Sequence, residues 1–197
     1  ANVIVQSNIN SFGANAMAGC GAYAKVEGFA FLPVTCFSMA LATFVSQNVG
    51  AGKPDRVSKG MKFGILCSIL LAEVVGVGIY LLCPQLVGAF SSEAEVIAFG
   101  VRQARTASLF FCLLAFSHCC AGILRGLGRP LVPMMIMLAV WCALRIAYLT
   151  VTLHFIRDIG VIFWAYPLTW SISSALFAWY ILHCPIPVLG GGAPQYK

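Results

Sequence analysis

The stretch "GFAFLPVTCFSMALATFVSQNVGAG", residues 28–52, contains no Lys, Arg, Asp or Glu. A helix that crosses a bilayer core of about 30 Å needs about 20 mainly apolar residues, and this stretch is long enough to do so. Three further stretches, 74–92, 106–124 and 159–196, are equally free of these charges. The pattern predicts an all-α integral membrane protein that crosses the bilayer several times.

The overall composition agrees with a membrane protein. Apolar residues make up 60% of the chain and charged residues 9%, with a mean hydropathy of +0.91. The net charge of +6 comes from dispersed bases rather than one basic face, which argues against nucleic-acid binding. The nine cysteines have no zinc-type spacing and are odd in number, so we expect neither a metal site nor a full disulfide framework.

The segment "GAGKP", residues 50–54, has the glycines and lysine of a phosphate-binding loop. That motif requires Gly where this chain has Gln47, and a hydroxyl where it has Pro54. The segment is therefore predicted to be a tight turn between membrane helices. The loop that contains it, residues 48–62, carries four bases against one acid.

The charge-free stretches and prolines predict five complete transmembrane helices and the end of another, which together form a six-helix lobe. Pro33 is expected to kink the second helix, and Pro84 to end the third before an outer loop at 84–92. A disordered tail is expected at 185–197. The predicted helices cover residues 1–11 (partial), 15–47, 54–82, 93–124, 131–153 and 160–184.

The distribution of basic residues predicts the orientation of these helices. The loop at 48–62 and the turn at 125–129 are basic and fall on the same side, whereas Glu93 and Glu95 mark the other. Because cytoplasmic loops of membrane proteins are enriched in Lys and Arg, the two basic loops and the C-terminus are predicted to be cytoplasmic.

Three segments in this order resemble the multidrug and toxic compound extrusion (MATE) transporters, in particular their C-terminal half. They are "SFGANAMAG" (11–19), "FVSQNVGAGKPDRV" (44–57) and "SHCCAGILRGLGRPLVPM" (117–134). The resemblance implies a twelve-helix antiporter of two six-helix lobes, with residues 1–184 as the second lobe. Such a protein lies in the plasma membrane and exports cationic or amphipathic compounds using a Na⁺ or H⁺ gradient.

The resemblance also implies which partners to expect. They are a small-molecule substrate, the lipid bilayer and a missing N-terminal lobe, with no cofactor besides the coupling ion. Two alternatives stay open, namely a lipid or polysaccharide flippase of the same superfamily and a non-transporting membrane subunit. An enzyme is not expected, because the sequence contains no nucleophile motif and no paired carboxylates.

Ionisable residues inside predicted spans are the candidate site residues, because burying a charge in a bilayer must be offset by a partner or a function. Glu73 and Glu27 are candidates for ion coupling, with a structural carboxylate, protonated or paired with another helix, as the alternative for Glu73. Lys25, His118 and Arg145 are candidates for the substrate path.

Each substrate-path candidate also has a plain structural interpretation. Lys25 can lie at the membrane interface, and Arg145 can extend its side chain towards the outer surface. His118 can be a neutral histidine that is hydrogen-bonded across helices. Some branches of the family place a coupling acid on helix 10, but residues 106–124 contain no carboxylate, so the sequence leaves the coupling ion open.

Overall fold

The computed structural model describes residues 2–183, which are helical apart from short turns. The prediction of an all-α membrane architecture is confirmed, since five of the helices in this range are long and apolar enough to cross a bilayer. The predicted last residue of the sixth helix, 184, and the predicted tail, 185–197, lie outside this range. The helices are α1 (Asn2–Asn10), α2 (Ala14–Gly50), α3 (Pro54–Gly88), α4 (Ala94–Gly126), α5 (Leu131–Phe155) and α6 (Ile159–His183).

Helix α4 is the centre of the bundle. It packs against α2, α3 and α6, and 67% of its most apolar segment is buried, against 28% or less for α2, α3 and α5. Large apolar side chains on the outer faces of these three helices are exposed, as lipid-facing positions must be. Examples are Phe29, Leu32, Phe63, Val74 and Leu138.

Helix α3 continues past Pro84, where the sequence predicts its end. Proline has no amide hydrogen, so the carbonyl of Tyr80, one turn earlier, loses its backbone partner. The buried Cys83 thiol donates a hydrogen bond to that carbonyl over 3.2 Å. The prediction that a loop begins at residue 84 is therefore wrong. The connection between α3 and α4 covers only residues 89–93.

The turns after α2 and α4 are two copies of one structure. "GAGKP" (50–54) and "GLGRP" (126–130) each place a glycine with positive φ, Gly52 at 65° and Gly128 at 75°. In both turns the amide of the next residue bonds a carbonyl five positions back over 2.9 Å. This is the Schellman helix ending, which glycine favours because it has no Cβ. With this ending, α2 extends three residues and α4 two residues beyond their predicted ends.

Small residues allow α2 and α4 to pack in close contact along their length. A Cβ on Gly100 would lie 2.9 Å from the carbonyl oxygen of Gly19, and one on Gly122 would collide with the carbonyl of Ser38. The Ser38 hydroxyl donates to the His118 carbonyl over 2.6 Å. Close backbone approach at small residues is the usual basis of helix association in membranes.

Gly122→Ala is expected to lower the free energy of unfolding by about 2 kcal/mol, because the new methyl group forces α2 and α4 apart. Gly21→Ala is the matched control. Its Cβ would meet no atom within 4 Å, so the better helix propensity of alanine should leave stability unchanged or raised by up to about 1 kcal/mol. Thermal unfolding of both variants in detergent measures the difference, and equal midpoints would contradict the assigned contact.

Candidate functional site

A buried arginine forms the centre of the polar interior of the lobe. Arg145, on α5, is only 3% exposed. Its Nη2 donates a hydrogen bond to Thr169 Oγ1 of α6 over 2.7 Å. The guanidinium also lies 4.8 Å from the ring centre of Tyr166 and 5.6 Å from that of Trp141. These contacts hold the side chain inward, so the suggestion that Arg145 extends towards the outer surface is wrong.

The backbone that carries Arg145 is irregular. The preceding turn, Leu138–Leu144, is π-helical and contains Trp141. Such wide turns are rare, and they occur frequently at functional sites. The arginine therefore follows an irregular turn and packs against a ring that the same turn presents.

Helix α2 contributes the acid of this cluster. Tyr23 is fully buried, and the half-buried Glu27 follows one helical turn later on the same face. Glu27 interacts electrostatically with Arg145 and with the phenols of Tyr23 and Tyr166. No nitrogen of Arg145 lies within 4.0 Å of the carboxylate. The carboxyl of Glu27 and the guanidinium of Arg145 are therefore near enough to interact but do not form a direct ion pair.

His118 lies beside this cluster on α4. Its ring meets Phe31 and Trp141 edge to face, with ring centres 5.0 and 5.5 Å away. Its Nε2 is buried and has no hydrogen-bond partner in residues 2–183. The interpretation of His118 as hydrogen-bonded across helices is therefore wrong for this nitrogen, because aromatic rings surround it.

Several polar atoms around the cluster retain unused hydrogen-bonding capacity. Besides His118 Nε2, the buried Tyr23 hydroxyl, Trp141 Nε1 and Arg145 Nε have no partner within the described part of the chain. A buried polar group without a partner costs about 1–3 kcal/mol. Such groups from α2, α4 and α5 therefore give the interior a capacity to bind a polar ligand group, an ion or water.

The remaining two candidates lie apart from this cluster. Lys25 is exposed, and its Nζ lies 5.1 Å from the ring centre of Phe90, just after the end of α3. Glu73 is half-buried, and its Oε2 accepts the backbone amide of Cys112 over 3.3 Å. That amide follows a 3₁₀ turn at Ser108–Phe110, where the regular helical hydrogen bonds of α4 are interrupted. The structure thus gives Glu73 a local bonding role.

The site residues predicted from the sequence did not include a network of serines between α4 and α6. The Ser117 hydroxyl lies 2.8 Å from that of Ser174 and 3.1 Å from that of Ser173. Together with Thr169 and Tyr166, the α6 serines follow the helical spacing of one face, which was the available signal. It was overlooked because only ionisable residues were considered as site candidates.

The described residues, 2–183, contain no group of three His, Cys, Asp or Glu side chains able to hold a metal ion. In the run "HCC" at 118–120, neighbouring side chains diverge around the helix. The cluster around Arg145 thus offers one carboxyl group, one guanidinium, one imidazole and uncharged polar groups.

Residues 1–151 match the family model described as MatE. The chain therefore belongs to the MATE family of membrane transporters. The "Probable multidrug resistance protein NorM" of Thermotoga maritima is 32% identical over 132 residues, which cover 66% of this chain and 28% of that protein. The "Probable multidrug resistance protein YoeA" of Bacillus subtilis is 24% identical over 180 residues, covering 90% of this chain and 39% of that protein.

Solved structures share the fold. The MATE transporter ClbM in complex with Rb⁺ superposes with a TM-score of 0.83 at 22% identity, covering 95% of this chain and 43% of that one. The Vibrio cholerae MATE transporter VcmN in its bent form gives a TM-score of 0.78 at 17% identity, covering 90% and 40%. The chain thus spans less than half the length of the relatives and structures it matches.

Proposed function

We propose that this chain is the C-terminal lobe of an ion-coupled antiporter that exports drugs or other cationic or amphipathic compounds. The family match over residues 1–151 carries the proposal. Two relatives named as multidrug resistance proteins support it, as does the polar interior of the lobe. Na⁺ and H⁺ are the two candidate coupling ions, and no further cofactor is proposed.

The second partner in this proposal is an N-terminal lobe of the same protein. Alternating access requires two repeats that move around a shared site, and this chain covers 43% or less of the matched transporter structures cited above. The exposed Ala14 and Ala18 of α2 offer a small-residue surface to such a lobe. Ala22, in line with them, is buried within this chain.

We propose Glu27, in preference to Glu73, as the acid that binds the coupling ion. Glu27 interacts with a buried guanidinium that it does not touch, so a bound proton or Na⁺ would cancel an attraction between α2 and α5. Glu73 is instead engaged by a backbone amide. Lys25, His118 and Arg145 stay candidates for the substrate path, with Arg145 and His118 adjoining Glu27 in the interior.

The proposed orientation places the loops at 48–62 and 125–129 and the C-terminus in the cytoplasm of a cell whose plasma membrane holds the protein. Because α2 and α4 run parallel, the loops that follow them, 48–62 and 125–129, are expected on the same side of the membrane. A cysteine at exposed Ser92 should react with a membrane-impermeant thiol reagent added outside, and one at exposed Asp55 should not. The reverse result would invert the orientation.

A flippase for anionic lipids or saccharides is the second candidate. Its specific support is the buried guanidinium of Arg145. The Nε of Arg145, the Tyr23 hydroxyl and Trp141 Nε1 are hydrogen-bond donors that have no partner in residues 2–183. Donor groups around a cation are suited to an anionic group. A relative named for a different cargo, the "FAD transporter" of Shewanella oneidensis, is 23% identical over 97 residues.

Transport by the full-length protein in vesicles tests the proposal. We expect an imposed Na⁺ or H⁺ gradient to drive efflux of a cationic dye, and dissipation of the gradient to stop it. Gradient-independent movement of an anionic lipid, with no dye efflux, would replace the antiporter by the flippase. A full-length protein that moves neither would leave the non-transporting subunit as the conclusion.

A further inference from the structure

A basic cavity opens between the end of α2 and the beginning of α3, and the proposed transport function does not use it. Its volume is about 680 Å³. Its lining includes the aromatic rings of Phe44 and Phe63 and the amide side chains of Gln47 and Asn48. Because Gly60 has no Cβ, the Phe44 ring can pack against α3 at this point.

Three basic side chains line the same cavity. Lys53, Arg56 and Lys59 are all exposed, and none of these side chains forms a hydrogen bond or ion pair with another described residue. Asp55 is the one acid in the loop at 48–62 and is not among the lining residues. The first turn of α3 adds the positive end of a helix dipole. The cavity therefore presents unneutralised positive charge.

The equivalent turn after α4 uses its bases differently. There Arg125 donates to the Ser38 hydroxyl over 2.9 Å, and Arg129 donates to the Tyr180 hydroxyl over 3.3 Å. Because the two turns share one backbone structure, the free bases of the first are not a requirement of the turn. They are available to a partner outside the protein chain.

An apolar stripe on α3 begins at this cavity and favours a lipid as that partner. Phe63, Leu66, Leu70 and Val74 repeat at helical spacing, and between 55% and 71% of each is exposed. A stripe of this kind on a transmembrane helix faces lipid tails. The bases thus lie at one end of a surface suited to acyl chains, where the polar head of a lipid is expected.

We propose that this cavity, the α2–α3 cavity, is a binding site for one anionic phospholipid. Its phosphate lies against Lys53, Arg56 and Lys59, the amides of Gln47 and Asn48 contact the polar head, and one acyl chain follows the stripe from Phe63. Basic pockets between transmembrane helices are known to hold such head groups, and each base near a membrane surface contributes about 1 kcal/mol to binding.

The test uses the purified full-length protein in nanodiscs made from equimolar phosphatidylglycerol and phosphatidylcholine. The readout is the phosphatidylglycerol retained after transfer to detergent, measured by mass spectrometry. Arg56→Gln should weaken retention about fivefold, and the triple variant Lys53→Gln, Arg56→Gln, Lys59→Gln by more than about tenfold. Phe63→Ala should weaken it while leaving the charge unchanged.

Arg157→Gln is the matched control, because it removes one exposed positive charge at the opposite end of the bundle. It should retain the lipid as the parent does, and circular dichroism should show equal helicity in all variants. Equal loss in Arg157→Gln and Arg56→Gln would overturn the proposal in favour of non-specific charge attraction. Displacement by inorganic phosphate alone, with no effect of Phe63→Ala, would overturn it in favour of a simple anion site.

Discussion

Glu27→Gln is expected to abolish gradient-driven efflux by the full-length protein, which should still fold but with a lower free energy of unfolding, because the buried Arg145 loses its counter-charge. Glutamine keeps the size of the side chain and its hydrogen-bonding capacity. It cannot take up and release a proton, and it offers no formal charge to Na⁺ or to Arg145. Efflux of a cationic dye under an imposed Na⁺ or H⁺ gradient should fall to the level of vesicles without protein, with dye binding largely unchanged.

Glu73→Gln is the matched control for this prediction. The carboxylate of Glu73 accepts the Cys112 amide, and a glutamine oxygen can accept the same hydrogen bond, so this variant should keep coupled efflux. If instead Glu27→Gln transports normally and Glu73→Gln does not, Glu73 is the coupling acid. If both transport normally, coupling belongs to the other lobe.

Arg145→Met is expected to lower the free energy of unfolding by about 3 kcal/mol. The change removes the hydrogen bond to Thr169 and leaves Glu27 inside the lobe without its counter-charge, which is the costly way to break a buried pair. The measurement is thermal or denaturant unfolding of the purified protein in detergent. Arg102→Met is the control, because its ion pair with Asp158 is about half exposed and worth at most about 1 kcal/mol.

The double variant Glu27→Gln, Arg145→Met separates the charge interaction from the rest of the contacts. If the two charges interact, removing both should cost less than the sum of the single changes, since no uncompensated charge is left behind. Strict additivity would show that Glu27 and Arg145 act independently. The ion-coupling argument for Glu27 would then lose its physical basis.

Some errors of the sequence analysis have a common cause. Pro84 was predicted to end α3 because proline removes a backbone donor, but a thiol on the preceding residue supplies a donor to the freed carbonyl. The structural interpretation of Arg145 had its side chain extending outward, because a charge in lipid is costly. Thr169, Tyr166 and Trp141 offset that cost from two helices. Both compensations depend on side-chain geometry that a linear pattern does not contain.

The sequence by itself determined the number of spans, the family and the positions of the two glycine-ended turns, because these depend on local composition and backbone preference. Tertiary structure alone decided which polar residues meet. Tyr23, Glu27, His118, Trp141, Arg145 and Thr169 come from four helices and lie up to 146 positions apart in the chain. These residues meet in the interior of the lobe because of how each helix is rotated about its axis. The close packing of α2 and α4 at glycines and the π-helical turn of α5 contribute to these rotations. Those rotations result from the packing of whole helices against each other, and no single segment encodes them.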